Sequence, residues 1–280
     1  MSQQDRAVDF RRMHAPATGR ILVLPNVWDA MSARLVEEAG ARAIATTSSG
    51  VSWSLGRPDG HGLTRDEMMG VVHRIVNVVR VPVTADIEGG YGRGTVADVE
   101  ETVRRVIGAG AVGINLEDTP GTSGEILIDA ALQAERIGAA RRVADAEGVD
   151  LFINARIDVF LFEAGEPEGR FDQTVNRAHV YRAAGSDGIF VPGVADAPTI
   201  QRLASAVGAP LNVMAGPGSP SVSELANLGV TRVSVGPAIA RTVMACIRHA
   251  AGQVLRDGTY DTLQGSMAFP EANGLFSRAE

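Results

Sequence analysis

Cysteine is almost missing from this chain: Cys246 stands alone among 280 residues. An intrachain disulfide is therefore excluded, and nothing in the chain demands an oxidising compartment. Within the helical stretch Ala240–Ala251 this thiol is expected to be a small buried apolar group. Long apolar runs are also missing. None approaches the roughly 18 residues of a membrane span, and Met1–Arg6 has no apolar core of a leader peptide. An excess of positive charge is absent too, with 26 basic against 33 acidic residues and a net charge of −7. With aromatics at 5% and no basic stripe interleaved with them, a nucleic-acid footprint is excluded. A soluble cytoplasmic protein, bound to neither nucleic acid nor membrane, is the expectation.

What the chain does contain is an alternation of short apolar segments and amphipathic ones. Candidate strands begin at Ile21, Ala43, Val81, Gly113, Leu151, Gly188, Leu211 and Thr231, and their nearly continuous apolar character suits parallel strands covered on both faces. Thr64 through Glu67 reads as a capping box, and Thr95, Asp129 and Asp196 read as N-caps. Ala39-Gly40, Ala109-Gly110, Ala184-Gly185 and Leu228-Gly229 each close a helix just before a strand, as a left-handed glycine C-cap does. Repeated βα units of this number predict a single (β/α)8 TIM-type barrel over about residues 20–256, with 257–280 as a C-terminal extension. An open doubly wound sheet is the alternative, since counting strands does not show closure. Gly108 to Gly113 matches G-x-G-x-x-G, but it leaves a helix and enters a strand, the reverse of a dinucleotide site.

In a barrel, chemistry sits where strands end. Asp86-Ile87-Glu88, Glu117-Asp118 and Arg156-Ile157-Asp158 close three successive strands, and alternation puts Asp86 with Glu88, Asn115 with Glu117, and Arg156 with Asp158. Asn26, Asp29, Tyr91 and Asn154 fall at the same end, as does Thr46-Thr47-Ser48-Ser49-Gly50, a small polar loop able to cradle a carboxylate or phosphoryl group. Hard carboxylate oxygens without histidine or cysteine nearby suit Mg2+ or Mn2+ rather than zinc. A salt-bridge layer around Arg156 is the purely structural reading of the same acids. His73, His179 and His249 fall in helical stretches as packing or surface residues, His61 lies in a long loop over 50–63, and Trp28 and Trp53 are either pocket walls or core.

Assembled, these segments resemble the isocitrate lyase/phosphoenolpyruvate mutase superfamily. Asp86 to Gly92 is similar to its D-x-D-x-G-Y-G, Leu116-Glu117-Asp118 to its L-E-D, and Asn154-Ala155-Arg156 to its x-A-R. The resemblance implies a Mg2+-dependent enzyme acting on a small 2-oxo acid or phosphonate through an enolate. Asp86, Glu88 and Glu117 then look like the metal-site acids, and Thr47, Ser48, Ser49, Asp86 and Arg156 like substrate ligands. Arg156, Asp59, Glu117 and Tyr91 look like catalytic groups. It also implies a homo-oligomer, dimer or tetramer, in which the eighth helix is exchanged between subunits.

The departures bear on the substrate. The lyases' K-[KR]-C-G-H segment is replaced by Thr119 to Glu125, without cysteine or lysine, and Glu88 replaces the second aspartate of D-x-D. The mutases' lysine- and asparagine-bearing loop is missing as well. C–C bond cleavage, by decarboxylation or retro-aldol release, is the expected reaction. P–C chemistry, favoured by Asp59, and a 2-oxo-acid-binding relative without turnover stay open. Residues 119–128 are read as a closing loop, and Tyr91, Ser123 and Glu125 as candidate proton donors.

Overall fold

The computed structural model describes residues 1–15, 20–60, 62–120 and 126–277. Nine parallel strands form one nearly closed sheet: β1 (Leu22–Leu24), β2 (Asn26–Val27), β3 (Ile44–Thr46), β4 (Val83–Asp86), β5 (Gly113–Glu117), β6 (Phe152–Arg156), β7 (Gly188–Val191), β8 (Leu211–Met214) and β9 (Arg232–Ser234). The expected first strand is β1, and beyond Pro25 a second short strand, β2, continues it where the apolar pattern had ended. β1 pairs with β9 (Leu22 opposite Arg232) and β2 pairs with β3 (Asn26 opposite Ala45). Pro25, with no N–H to give, stands between the halves and interrupts the ladder there. Asn26 bridges the break: its Nδ2 donates to the Thr46 carbonyl, and its Oδ1 accepts both the Val235 and Gly236 amides at 2.9 Å. The barrel of eight strand positions is thus closed by one broken strand and one asparagine.

The helices that wrap it are α2 (Ala30–Glu38), α3 (Ser48–Ser54), α4 (Arg65–Val78), α5 (Val96–Gly108), α6 (Ala130–Ala146), α7 (Arg170–Ala183), α8 (Ala197–Ala206), α9 (Val222–Asn227) and α10 (Ala238–Asp257), with α11 (Phe269–Gly274) beyond them and α1 (Gln3–Met13) ahead of the barrel. Thr64, Thr95, Asp129 and Asp196 each accept a first-turn amide as an N-cap. The four glycine C-caps all take positive φ, which only glycine adopts without strain. Gly108 ends α5 and Gly113 opens β5, so the glycine-rich segment between them leads into a strand.

Two features escape the sequence pattern. α3 occupies the start of the segment expected to be a loop over 50–63; its first amide, Ser48 N–H, donates to Asp86 on the neighbouring strand. That cap comes from tertiary structure and leaves no local signature. α1 closes the bottom of the barrel: Phe10 is fully buried, its ring edge-on to Phe152 at 5.7 Å, and Gln3 donates to the carbonyls of Ile107 and Ala111. Gly113 leaves room for this plug, because a Cβ there would lie 2.8 Å from the Phe10 ring.

α10 departs from expectation in the other direction. Of its 20 residues only Ala240 is buried, and Cys246, expected inside, is exposed because this helix stands away from its own barrel. Among the described residues, no helix is long and apolar enough to cross a membrane.

His14, at the end of the plug, stacks on Phe152 at 3.8 Å and donates Nδ1–H to the Phe10 carbonyl. Burial first, and Arg232 next, push its pKa down from 6.5 to about 3. The unfolded chain therefore takes up a proton that the folded chain refuses between those values. The stabilisation is complete above about pH 6.5 and is lost as pH falls toward 3, at up to about 1.4 kcal/mol per pH unit. His14→Phe is expected to flatten this acid limb in melting curves taken from pH 7 to pH 4. An unchanged slope would show that His14 is not the group responsible.

Candidate active site

Alternate residues along the strands point into the barrel and stack in layers. Asn154, Asn115, Asn212 and Arg232 form a buried polar middle layer. Asn154 Nδ2 donates to the side-chain oxygens of Asn115 (2.9 Å) and Asn212 (3.2 Å), Arg232 Nη2 donates to Asn115 Oδ1 (3.2 Å), and Asn212 donates to Ser234 Oγ (3.1 Å). Burial pulls the Arg232 guanidinium down to about 9, against the field of Asp86. With Asn115 Oδ1 doubly occupied, its amide NH2 is the end left to face the cavity above, which Asn115 lines.

That cavity, about 310 Å³, opens at the C-terminal end of the strands. Asn26, Thr47, Ser48, Ser49, Asp59, Asp86, Glu88, Glu117 and Arg156 all line it. The residues expected from the three strand ends therefore meet, though not all by strand alternation. β4 ends at Asp86, and Glu88 follows in a left-handed turn with φ of 49°, its carbonyl accepting the Glu117 amide at 3.1 Å. Asp86 accepts both Ser48 N–H (3.2 Å) and Ser48 Oγ–H (2.9 Å), and its own amide donates to Thr46 Oγ1. Ser49 Oγ donates to Asp59 at 2.7 Å. The Thr46–Gly50 segment is consequently less rich in free amides than its composition implies, since Thr47 N–H also donates, to Val27.

Arg156 holds the centre. Its Nη1 lies 2.8 Å from Glu117 and its Nε 2.7 Å from Asp158. Burial works against its charge, but Glu117, Asp158 and Asp86 outweigh burial and raise its pKa. Glu117 moves well above the usual carboxylate range, chiefly through burial; Arg156 opposes this, and Asp158, Asp86 and Glu88 reinforce it. Asp158 itself is fully buried, accepts Thr119 Oγ1–H, and gives its amide to Asp118. Asp118 in turn takes Arg177 (3.0 Å) and the Tyr181 hydroxyl (2.8 Å), and burial with Asp158 alongside lifts it to about 6. Asp118 and Asp158 thus brace the two loops that follow Glu117 and Arg156.

Tyr91 lies beneath the lining rather than on it. It is 4% exposed with φ of 58°, and burial together with Glu88, Asp86, Glu117 and Asp59 holds its phenol protonated. Trp28 and Trp53 belong to the core, not the cavity wall. Thr119 and Pro120 carry the start of the expected closing loop to the rim, whereas Ser123, Glu125 and His61 lie outside the described residues. Arg232 and Asn212 were not singled out by their surroundings, which read as an ordinary apolar strand start.

Among the described residues, no three histidine, cysteine, aspartate or glutamate side chains come together closely enough to bind a metal by themselves. Magnesium does not need that: it keeps several waters and takes one or two carboxylates plus substrate oxygens. Asp86, Glu88 and Glu117 on one cavity fit such a hydrated hard cation, whereas zinc would call for histidine or cysteine ligands, of which the described lining has none.

A parallel-stranded barrel with an acid-ringed, arginine-centred cavity at the strands' C-terminal ends defines an enzyme architecture. The chain belongs to the phosphoenolpyruvate phosphomutase family, whose model matches residues 10–255, and so to the superfamily of mutases and lyases that includes isocitrate lyase. It is 31% identical over 265 residues to oxaloacetate decarboxylase of Pseudomonas aeruginosa, covering 90% of this chain and 88% of that one. Among solved structures it resembles a Burkholderia cenocepacia J2315 protein with a provisional lyase/mutase name (37% identity, TM-score 0.91, 99% and 98% coverage). It also resembles a provisionally named phosphonomutase from the same organism (45%, TM-score 0.84, 89% and 100%).

Removing the arginine leaves two buried acids without their shared partner, a loss of about 3–5 kcal/mol for a buried pair. Arg156→Met is expected to lower unfolding free energy by that order in denaturant titration. Arg156→Lys, which keeps the charge but not the fork, should cost less. Equal stability of wild type and Arg156→Met would refute the bracing role.

Proposed function

We propose that this protein is a Mg2+-dependent enzyme, with Mn2+ able to substitute, that cleaves a C–C bond of a small 2-oxo acid through an enolate. The observation carrying this reading is the placement of one guanidinium, Arg156, among Asp86, Glu88 and Glu117 in a single cavity at the barrel mouth. Its Nε and Nη1 are held by Asp158 and Glu117, so Nη2 is the donor left for an enolate or carboxylate oxygen. The Asn115 amide, oriented from below by Arg232 and Asn154, adds a neutral donor to the same space. Thr47, Ser48 and Ser49 offer hydroxyls to the substrate carboxylate. Asp86, Glu88 and Glu117 would hold the cation, in part through water, and the cation would polarise the 2-oxo group. Tyr91, buried near the acids with its phenol protonated, is in this reading a neutral neighbour of theirs.

An alternative electron sink is closed by composition. All 26 basic residues are arginine, so no lysine exists to form a Schiff base with the 2-oxo group. Resemblance to an oxaloacetate decarboxylase supports decarboxylation as the form of C–C cleavage. One contact favours a second reading, P–C chemistry: Asp59 reaches the cavity and is tied to Ser49 at 2.7 Å, where an aspartate would meet a phosphonate substrate. The exposed face of α10 supports packing against another copy of the chain, by exchange of this helix within a dimer or tetramer.

Purified protein assayed with oxaloacetate and with phosphonopyruvate, each with Mg2+ and with EDTA, separates the two reactions. Metal-dependent release of CO2 from oxaloacetate is expected, at least about 100-fold weaker in Arg156→Gln, the scale of one lost transition-state donor. Phosphate release from phosphonopyruvate alone would transfer the assignment to P–C cleavage. If neither acid is turned over and oxalate does not bind in the presence of Mg2+, the reading is wrong.

A further inference from the structure

The barrel mouth has two unlike halves. Strands β3, β4 and β5 contribute hydroxyls and carboxylates, whereas the other side, from the loop after β6 round to the turn after β9, presents Leu161, Phe162, Phe190, Pro192, Met214 and Pro237. Apart from Ser234 and Asn26, both hydrogen-bonded within the barrel, no polar side chain among the described residues interrupts this apolar side. Arg156, at the boundary, is the one cation on the lining among the described residues.

This wall is held in place by close backbone contacts. Gly193, at φ of 87°, brings the loop after β7 against the loop after β6; a Cβ there would sit 2.7 Å from Leu161 Cα. Gly236 leaves room for the Met214 side chain, whose sulfur would lie only 2.6 Å from a Cβ at that position. Phe190 is 5% exposed and lies under the Arg156 guanidinium at 5.9 Å, while Phe162, at the rim, keeps 47% of its surface exposed. A polar substrate group turned to this side would lose its water and gain no partner, which is unfavourable. Hydrocarbon turned to it would be buried favourably.

Building on the 2-oxo-acid reading above, we infer that the natural substrate carries an alkyl or aryl branch at C3 that packs on this wall, while its carboxylates and 2-oxo group occupy the acidic half. The unbranched four-carbon acid would leave the wall unfilled. For a 3-substituted oxaloacetate the C3–C4 bond breaks, C4 departs as CO2, and its electron pair forms the C2–C3 enolate. A proton added at C3 then yields the branched 2-oxo acid, with no further reactant required.

Steady-state kinetics with Mg2+ on oxaloacetate and its 3-methyl, 3-ethyl and 3-benzyl derivatives test this. kcat/KM is expected to rise by about 10-fold or more from the unbranched to the best branched acid, the scale of a methylene in an apolar pocket. Met214→Asn and Leu161→Asn, both at partly exposed positions, should erase that preference, bringing the ratio of kcat/KM for the branched over the unbranched acid to about one. Calorimetry supplies an arm independent of turnover: 2-oxo-4-methylpentanoate should bind about 10-fold more tightly than pyruvate. Constant or falling kcat/KM with branching, or equal binding of the two product-type acids, overturns the inference while the 2-oxo-acid reading stands. Failure of every 2-oxo acid and of oxalate to bind overturns that reading itself.

Discussion

The gathering of like charges at the barrel mouth is the constraint on which the rest of this structure depends. Asp59, Asp86, Glu88 and Glu117 share one cavity, with Asp158 buried just behind it. Carboxylates so placed repel one another and lose hydration, which is why Glu117 is pushed toward its protonated form. Arg156 answers two of them directly, and its fork fixes the relative positions of the loops after β5 and β6. Ser48 answers Asp86, and in doing so starts α3. The local fold around the site is therefore largely the set of partners that these acids require. A hydrated cation would supply what protein donors leave over, which links the structural tension to the proposed chemistry.

Beneath the mouth, the barrel interior is polar where most of its residues might have been aliphatic. Asn115, Asn154, Asn212 and Arg232 form a connected layer, and such a layer specifies one arrangement because each amide has few alternatives once buried. It also carries positive charge to within the field of Asp86. The α1 plug seals this layer from below with Phe10 and His14, so that Arg232 lies close to the Phe10 ring, 6.0 Å away, rather than to water. A helix lying ahead of the barrel thereby helps set the electrostatics of a site at the barrel's other end.

Much of this was legible in the chain. The strands from β3 to β9 announced themselves as apolar runs, the four N-caps by their side chains, and the acid-tipped strand ends by their positions. Other features were hidden. That Asn26 would close the barrel depends on amides more than 200 positions away in sequence. Arg232 sits in a segment otherwise apolar, and its burial depends on Asn115 from another strand. Cys246 was expected to be buried by helix composition; whether a helix face is covered depends on what lies beside it, and α10 stands off its own barrel.

Periodicity, capping residues and glycine turns are local properties, so the order of strands and helices, and the end at which acids accumulate, were determined by the sequence itself. Closure, depth and partnership are not local. Only the tertiary structure decided that Glu88 reaches the cavity by a left-handed turn, that Tyr91 is buried off its lining, and that one side of the mouth is acidic and the other hydrocarbon. The reason is geometric: a strand pattern states which residues share a face of one strand, whereas a site is made by curving many such faces round a common axis.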